Sequence, residues 1–194
     1  MVELLRTSPL EAWTDAFQRL PDTVGVAVEP FVAMVDVRLS TGGSESSAAL
    51  GVDLPTAPNT WVPTDAGRAV WLGPDEWLLT STTEAPEELE ARVRAAVLPL
   101  GGSATDVSAQ RIGLRLTGAR VRDVLAKGCS IDLHPRVFGP GRSAQTTLGQ
   151  AGVVLLALSE TGEDYLVLVR SSFAGYLADW LLDAALEFTT TLTS

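Results

Sequence analysis

The residues of this chain best suited to catalysis are a lone histidine, His134, and a lone cysteine, Cys129. A zinc cage needs several imidazole or thiolate ligands, so one of each cannot build it. His134 precedes Pro135, which indicates a turn, and a histidine outside any motif is more often a turn residue than a general base. Cys129 follows Lys127 and Gly128, where a cation could activate the thiol, but a free cysteine is more often a small buried residue. We therefore interpret both residues as structural.

Two acidic pairs are the other candidates for proton transfer. Asp75-Glu76 and Glu163-Asp164 could supply paired carboxylates for general acid–base chemistry. Both pairs fall in predicted hairpin turns, where acids are common because they hydrogen-bond to the local backbone, so we interpret them as solvated turn residues. Neither GxGxxG nor GxxxxGK[ST] occurs, and nucleotide binding has no support. The sequence predicts no catalytic, cofactor-binding or metal-ligating residue on this chain.

The composition excludes several classes of partner. The chain carries 14 basic and 24 acidic residues, a net charge of −10, which repels nucleic acid and anionic lipid surfaces. One cysteine allows no intramolecular disulfide, which fits a reducing cytoplasm. The N-terminus, MVELLRTSPLEAW, lacks a signal-peptide pattern, and the longest apolar run, Ala151 to Leu158, is far shorter than the ~20 residues that span a bilayer. We expect a cytoplasmic globular protein that binds neither nucleic acid nor membranes.

The first half of the chain shows strand and helix patterns in alternation. Val35, Val37 and Leu39 alternate with Asp36 and Arg38, which predicts a strand with one buried face. The other predicted elements are a helix from Ser44 to Leu50 closed by Gly51, a hairpin from Ala69 to Thr82, and a helix that begins at Pro86 and buries Leu89, Val93, Ala96 and Val97.

The second half repeats this order. Its predicted elements are a strand from Ile112 to Leu116, a helix from Ala119 to Lys127 closed by Gly128 as a residue tolerant of positive φ, a hairpin whose first arm runs from about Thr146 to Leu158 and whose second arm returns through Tyr165 to Val169, and a long helix from about Ser172. The segment Gly51-Val52-Asp53-Leu54-Pro55 also resembles Ser130-Ile131-Asp132-Leu133 with the nearby Pro135. We infer an internal duplication with a period of about eighty residues. The predicted organisation is an amphipathic arm over residues 1–23 and one domain over 24–194, made of similar halves at about 24–104 and 105–190.

Two helical segments have apolar faces that must be covered. In the arm, Trp13, Phe17 and Leu20 form one stripe, which lies on the domain itself or docks on a partner; the first is the commoner case. The final helix is apolar nearly all round, with only Asp179, Asp183 and Glu187 in a narrow acidic line, so it is predicted to be buried nearly all round. Either the fold sandwiches it, which is the commoner case, or another chain covers it. Its apolar positions are Phe173, Tyr176, Leu177, Trp180, Leu181 and Ala184 on one side and Ala174, Ala178, Leu182 and Ala185 on the other.

Four stretches together carry a family resemblance: WLGPDEWLL at 71–79, DVSAQR at 106–111, LAKGCSIDLHPRVFGPG at 125–141 followed by Thr146, and RSSFAGYLADWLLDAA at 170–185. With them the chain resembles, from about Val24 to Phe188, the gamma subunits of heterotetrameric sarcosine oxidase. The resemblance implies an α+β fold, the duplicated folate-binding-domain fold of the glycine-cleavage T-protein, with mixed or antiparallel sheets, exchanged strands and helices packed on the sheets.

The chain departs from the T-protein pattern where folate chemistry would take place. In that family the hairpin after the threonine bears acidic residues close to the position of Gly152, whereas this chain reads Gly152-Val153-Val154-Leu155-Leu156. Aliphatic side chains neither take nor give a proton. An asparagine-bearing stretch before the family's next helix is replaced by Arg170-Ser171-Ser172-Phe173. These departures argue against folate chemistry on this chain.

The resemblance implies a non-catalytic structural gamma subunit. The complex would oxidatively demethylate sarcosine to glycine, transfer the one-carbon unit to tetrahydrofolate and form hydrogen peroxide. FAD, FMN, NAD, zinc and tetrahydrofolate would be held by other subunits, none by this chain, and the partners would be chiefly the alpha subunit, with the beta and delta subunits.

The alternative is a stand-alone folate-binding protein, either an aminomethyltransferase or a folate-dependent iron–sulfur assembly factor. The latter family uses a KGC motif, which Lys127-Gly128-Cys129 matches. The Gly-Gln that should follow is absent, because the chain continues Ser130-Ile131-Asp132.

Overall fold

Ten strands and five α-helices make up the framework of residues 7–40 and 43–189, the part of the chain that the computed structural model describes. The strands are β1 (Gly25–Val28), β2 (Ala33–Arg38), β3 (Trp61–Pro63), β4 (Gly67–Gly73), β5 (Glu76–Ser81), β6 (Ser103–Asp106), β7 (Arg111–Thr117), β8 (Ser143–Leu148), β9 (Ala151–Ala157) and β10 (Asp164–Arg170). The helices are α1 (Thr14–Gln18), α2 (Ser44–Leu50), α3 (Pro86–Val97), α4 (Val121–Ala126) and α5 (Ala174–Thr189). The α+β class predicted from the sequence is confirmed.

The two sheets have the same strand order, and in each the last strand precedes, in the chain, a strand of the other sheet. One sheet runs β3-β4-β5-β2-β6 and the other β8-β9-β10-β7-β1, with antiparallel pairing throughout. β1 precedes β2 in the chain yet pairs with β7, and β6 precedes β7 yet pairs with β2. This is the duplication with exchanged strands that the resemblance implied. The residue boundaries given above for the arm and the halves stay a prediction.

The molecule has four layers, because each sheet packs helices on one face and the other sheet on the opposite face. α4, α5 and the N-terminal arm cover the sheet that contains β7, and α2 and α3 cover the sheet that contains β2. The inter-sheet core is made of Val32, Met34, Val70, Leu72, Leu78, Val154, Leu156, Leu166 and Leu168. Strand alternation therefore gives each sheet two buried faces.

Local chemistry explains several element ends. α2 ends at Gly51, whose φ of 65° satisfies the left-handed C-cap predicted there. α3 begins at Pro86, and the Glu88 carboxylate accepts a hydrogen bond from the Ala85 N–H at 3.2 Å. The predicted first hairpin arm from Thr146 to Leu158 is two strands, β8 and β9, because Gly149 turns the chain with φ 59°.

One expectation for the helices is wrong in detail, and one is answered only in part. Gly128 is absent from the positive-φ glycines; it lies where a Cβ would come within 2.4 Å of Trp180 Cζ2 and 2.7 Å of the Gly149 nitrogen, so close packing explains it. Within this chain the final helix is buried along one face, because the sheet lies beneath it and the arm beside it, while Phe173 and Tyr176 remain 43% and 40% exposed. Its buried residues are Ala174, Leu177, Ala178, Leu181, Ala184 and Ala185. The fold alone therefore does not sandwich the helix, and cover by another chain stays a prediction.

Candidate functional site

A cavity of about 540 Å³ lies at one end of the inter-sheet layer and is the candidate functional site. Its volume falls in the range of small-molecule pockets. Leu156, Leu166 and Leu168 line it from one sheet, and Met34 and Val70 line it from the other. All five belong to the inter-sheet core, and exposed residues such as Pro30 and Phe31 also line the cavity, so it extends from that core to the surface.

The β9 wall of the cavity is aliphatic where the T-protein pattern calls for acids. Val154 and Leu156 project between the sheets, and Val153 and Leu155 project into the helix-side core. Since Gly152 has no side chain, no proton-transferring group projects from this part of β9. The wall does not fit the chemistry that such a domain performs on tetrahydrofolate, and we derive no step through that cofactor.

Two guanidinium groups reach the cavity from opposite sheets. Arg68 lies on β4, with its Cζ 5.8 Å from the centroid of the Trp61 ring. Arg111 lies at the start of β7, and its Nε is buried without a hydrogen-bond partner among the described residues. Burial lowers the pKa of Arg111 from its ordinary value, and Arg170, its register partner on β10, lowers it further. Arg111 is therefore a cation in an unfavourable setting.

The DVSAQR stretch is a structural connector at the edge of this cavity. The Asp106 carboxylate accepts hydrogen bonds from the Ser108 N–H at 2.9 Å and the Ser108 hydroxyl at 2.6 Å. The Ser108 hydroxyl in turn accepts from the Met34 N–H at 2.8 Å. The Ser171 hydroxyl donates to the Ala109 carbonyl at 2.7 Å. These bonds tie the junction between the halves to β2 and to the turn before α5.

Two carboxylates on the facing sheet, those of Asp36 and Glu76, interact electrostatically with Arg111. Glu76 forms an ion pair with Arg38 at 3.0 Å, and Asp36 lies 3.5 Å from the same guanidinium. Burial raises the pKa of Glu76, and a hydrogen bond and the like charge of Asp36 raise it further, while Arg38 opposes this. Glu76 is therefore not the solvated turn residue that the sequence predicted.

In the other predicted acidic pair, Glu163-Asp164, one residue forms an ion pair. Asp164 binds Arg115 through two bonds, Nε to Oδ1 at 3.0 Å and the second guanidinium nitrogen to Oδ2 at 2.7 Å. This ion pair joins the register neighbours β7 and β10. Glu163 is exposed and fits the solvated interpretation.

His134 and Cys129 lie outside the cavity, each in a local structural role. The His134 Nδ1 accepts the Arg136 N–H at 3.2 Å, and the His134 N–H donates to Asp132 at 2.8 Å, which is the turn predicted for this residue. Cys129 is buried beside Thr146, with 4.0 Å between Sγ and Oγ1. Lys127 turns away to Glu187 at 2.6 Å.

Over the described residues, no group of three or more His, Cys, Asp and Glu side chains is placed to hold a metal ion. No helix in that same part of the chain has the length and apolar character to cross a membrane.

Sequence reasoning missed the cavity and the position of Arg111. The alternation of Arg111 with Ile112 indicates that their side chains lie on opposite sides of a strand. The sequence does not show which sheet packs against the side that carries Arg111. No local pattern identifies Arg170 as its neighbour, because β7 and β10 are joined only by the fold.

Comparison with known proteins identifies the family of this chain. The family model described as "Sarcosine oxidase, gamma subunit family" matches residues 40–187. The sarcosine oxidase subunit gamma of Corynebacterium sp. (strain U-96) is 37% identical over 192 residues, which cover 95% of this chain and 92% of that protein.

Solved structures show the same fold. A chain of the heterotetrameric sarcosine oxidase from Corynebacterium sp. U-96 matches with a TM-score of 0.84 and 33% identity, over 98% of this chain and 100% of that one. The glycine cleavage system aminomethyltransferase T from Bartonella henselae matches with a TM-score of 0.58 and 14% identity, over 87% of this chain and 48% of that one. The second likeness shows the fold alone.

Proposed function

This chain belongs to the sarcosine oxidase gamma subunit family, and on that premise we propose that it is the non-catalytic structural subunit of a heterotetrameric sarcosine oxidase. The observation that carries the proposal is the match with a chain of such an enzyme over 98% of this chain, because the likeness extends over the whole fold and not over one motif. The aliphatic wall of the cavity supports the non-catalytic part of the proposal.

The chemistry would then reside on the partners. The complex would oxidise sarcosine to glycine, pass the one-carbon unit to tetrahydrofolate and reduce oxygen to hydrogen peroxide. FAD, FMN, NAD, zinc and tetrahydrofolate would be bound by the other subunits. This chain would contribute packing surface, chiefly to the alpha subunit and also to the beta and delta subunits. The complex would be cytoplasmic. Its net charge of −10 favours a partner surface that carries basic residues.

Co-expression tests the assembly. With an affinity tag on this chain and the partner genes present, the tagged chain is expected to co-purify with a flavoprotein that turns over sarcosine. Recovery of the chain alone under those conditions would contradict the proposal.

A matched pair of variants tests the non-catalytic role. His134→Ala and Cys129→Ser remove the two side chains best suited to catalysis, and complexes that contain either variant are expected to keep the wild-type kcat for sarcosine. Loss of turnover in a complex that still assembles would place chemistry on this chain.

A further inference from the structure

Arg111 has a buried donor that the fold leaves without an acceptor. Its Nε is shielded from solvent and has no hydrogen-bond partner in the described ranges 7–40 and 43–189. A buried donor without a partner is destabilising by about 1–3 kcal/mol, and more when the group is charged. An arrangement of this kind is expected where a ligand supplies the missing acceptor.

The charges around Arg111 also leave its cation incompletely compensated. Arg170 lies beside it on β10 and repels it. Asp36 and Glu76 attract it from the facing sheet, but both carboxylates already lie against Arg38 at 3.5 and 3.0 Å. An anion within the cavity would relieve the repulsion that burial and Arg170 impose.

The cavity is shaped for a molecule that is apolar apart from one charged end. Leu156, Leu166 and Leu168 provide an apolar wall, and Phe31, 49% exposed, lies among the lining residues at the surface. Three acids also line the cavity, Glu29, Glu87 and Asp106. Glu87 is exposed in the first turn of α3, the Asp106 carboxylate accepts hydrogen bonds from Ser108, and the half-buried Glu29 interacts electrostatically with Arg115. Arg68 adds a second guanidinium from the opposite sheet.

We propose that the inter-sheet cavity binds a small organic anion, with its carboxylate hydrogen-bonded to Arg111 and its apolar body against Leu156, Leu166 and Leu168. A guanidinium binds a carboxylate through two parallel N–H donors, and Nε is one of the donors that such a pair uses. The site is one of binding and not of proton transfer. It does not depend on the assembly proposed above.

Titration of the purified full-length chain with a matched pair of probes tests the site. Phenylacetate carries a carboxylate on an apolar ring, and 2-phenylacetamide has nearly the same shape without the charge. The wild-type chain is expected to bind phenylacetate with a defined 1:1 stoichiometry and about tenfold more tightly than the amide, because the charge-assisted bond is lost with the amide. Equal binding of the two probes, or no saturable binding of phenylacetate, would overturn the proposal.

The variants Arg111→Leu and Arg170→Leu identify the residue responsible. They remove the same side chain from register neighbours, but only Arg111 lines the cavity. Arg111→Leu is expected to abolish the preference for phenylacetate, whereas Arg170→Leu is expected to keep it within about twofold. Equal losses in both variants would show a general effect of positive charge and reject the site.

Arg111→Lys keeps the test decisive if Arg111→Leu does not fold. Lysine retains the charge but lacks the planar pair of donors, so phenylacetate affinity is expected to fall between those of the wild type and the amide control. Wild-type affinity in Arg111→Lys would refute the hydrogen bond from Nε. Co-purification of Arg111→Leu with the flavoprotein measures assembly separately, so the two proposals can fail independently.

Discussion

Gly128 occupies a position where neighbouring atoms leave no room for a Cβ. Its place after a helix suggests a left-handed cap, a role that Gly51 fills after α2. At Gly128 the reason is instead the close approach of Trp180 and of the Gly149 backbone. The contact joins the loop after α4 to α5 and to the β8–β9 turn, which are far apart in the chain.

Gly128→Ala is therefore expected to lower the free energy of unfolding by about 1–3 kcal/mol, because the added methyl group overlaps a rigid indole ring and a backbone nitrogen. Chemical denaturation measures the change. Gly152→Ala is the control, since a Cβ added at Gly152 would meet no atom within 4 Å and its effect is expected within about 0.5 kcal/mol. Equal effects of the two substitutions would rule out the packing explanation.

Glu76 makes stability depend on pH in a predictable direction. Burial and Asp36 raise its pKa above the ordinary 4.5, so the folded state holds this proton more tightly than the unfolded state. The wild type therefore loses stability as the pH rises from 4.5 through the folded pKa. Because glutamine has no proton to lose, the unfolding free energy of Glu76→Gln minus that of the wild type is expected to increase over this interval.

Glu84→Gln provides a control of opposite sign for the same denaturation series. A hydrogen bond from Arg92 lowers the pKa of Glu84, so its stabilising contribution is present above the ordinary 4.5 and is lost as the pH falls. The difference between Glu84→Gln and the wild type is expected to become more negative as the pH rises. Parallel trends in the two variants would contradict both assignments.

At the scale of elements, the described part of the N-terminal arm, residues 7–23, lies on its own domain, the commoner of the two cases expected from its stripe. Leu10 and Phe17 are buried in the helix-side core. Trp13 lies against Gly175 and donates from Nε1 to the Asp179 carboxylate at 2.7 Å. The arm thereby covers one flank of α5 and explains why that helix needs few polar residues there.

Leu10→Ala tests whether this docking contributes to stability. Leu10 has no exposed surface, so its truncation is expected to lower the unfolding free energy by about 2–5 kcal/mol and to raise amide exchange over residues 10–18. Leu98→Ala makes the same chemical change at a side chain that is 66% exposed, and about 0.5 kcal/mol or less is expected. A Leu10→Ala variant as stable as Leu98→Ala would mean that the arm is not held by the core.

At the scale of the whole molecule, strand exchange makes the halves interdependent. The sheet of the second half is completed by β1, and that of the first half by β6. The Trp61 indole donates to the Ala157 carbonyl at 3.1 Å, and the Gln145 amide donates to the Leu72 carbonyl at 2.6 Å, so further bonds cross between the halves. The helix-side core of the second half needs Val24 and Val26 from the first half, and the inter-sheet core needs residues of both halves.

Separate expression of residues 1–106 and 107–194 is expected to give a second fragment, 107–194, without a cooperative thermal transition. The second fragment lacks β1 and with it the core residues Val24 and Val26. Mixing or co-expressing the fragments is expected to restore a cooperative transition, which circular dichroism can follow. A fragment 107–194 that unfolds at the temperature of the full chain would show that the exchanged strand is dispensable.

The longer elements and their order were determined by the sequence alone, because periodicity, capping residues and turn residues are local properties. Pro86 and Gly51 are examples, and the family resemblance extended the same information to the duplicated fold. The strands β1, β3 and β6 were not predicted, because three or four residues carry too little periodicity. The pairing of β1 with β7, the close approach of Trp180 to Gly128 and the placing of Arg111 at a cavity were decided only by the tertiary structure. Each depends on residues distant in the chain, and local pattern does not specify which distant surfaces meet.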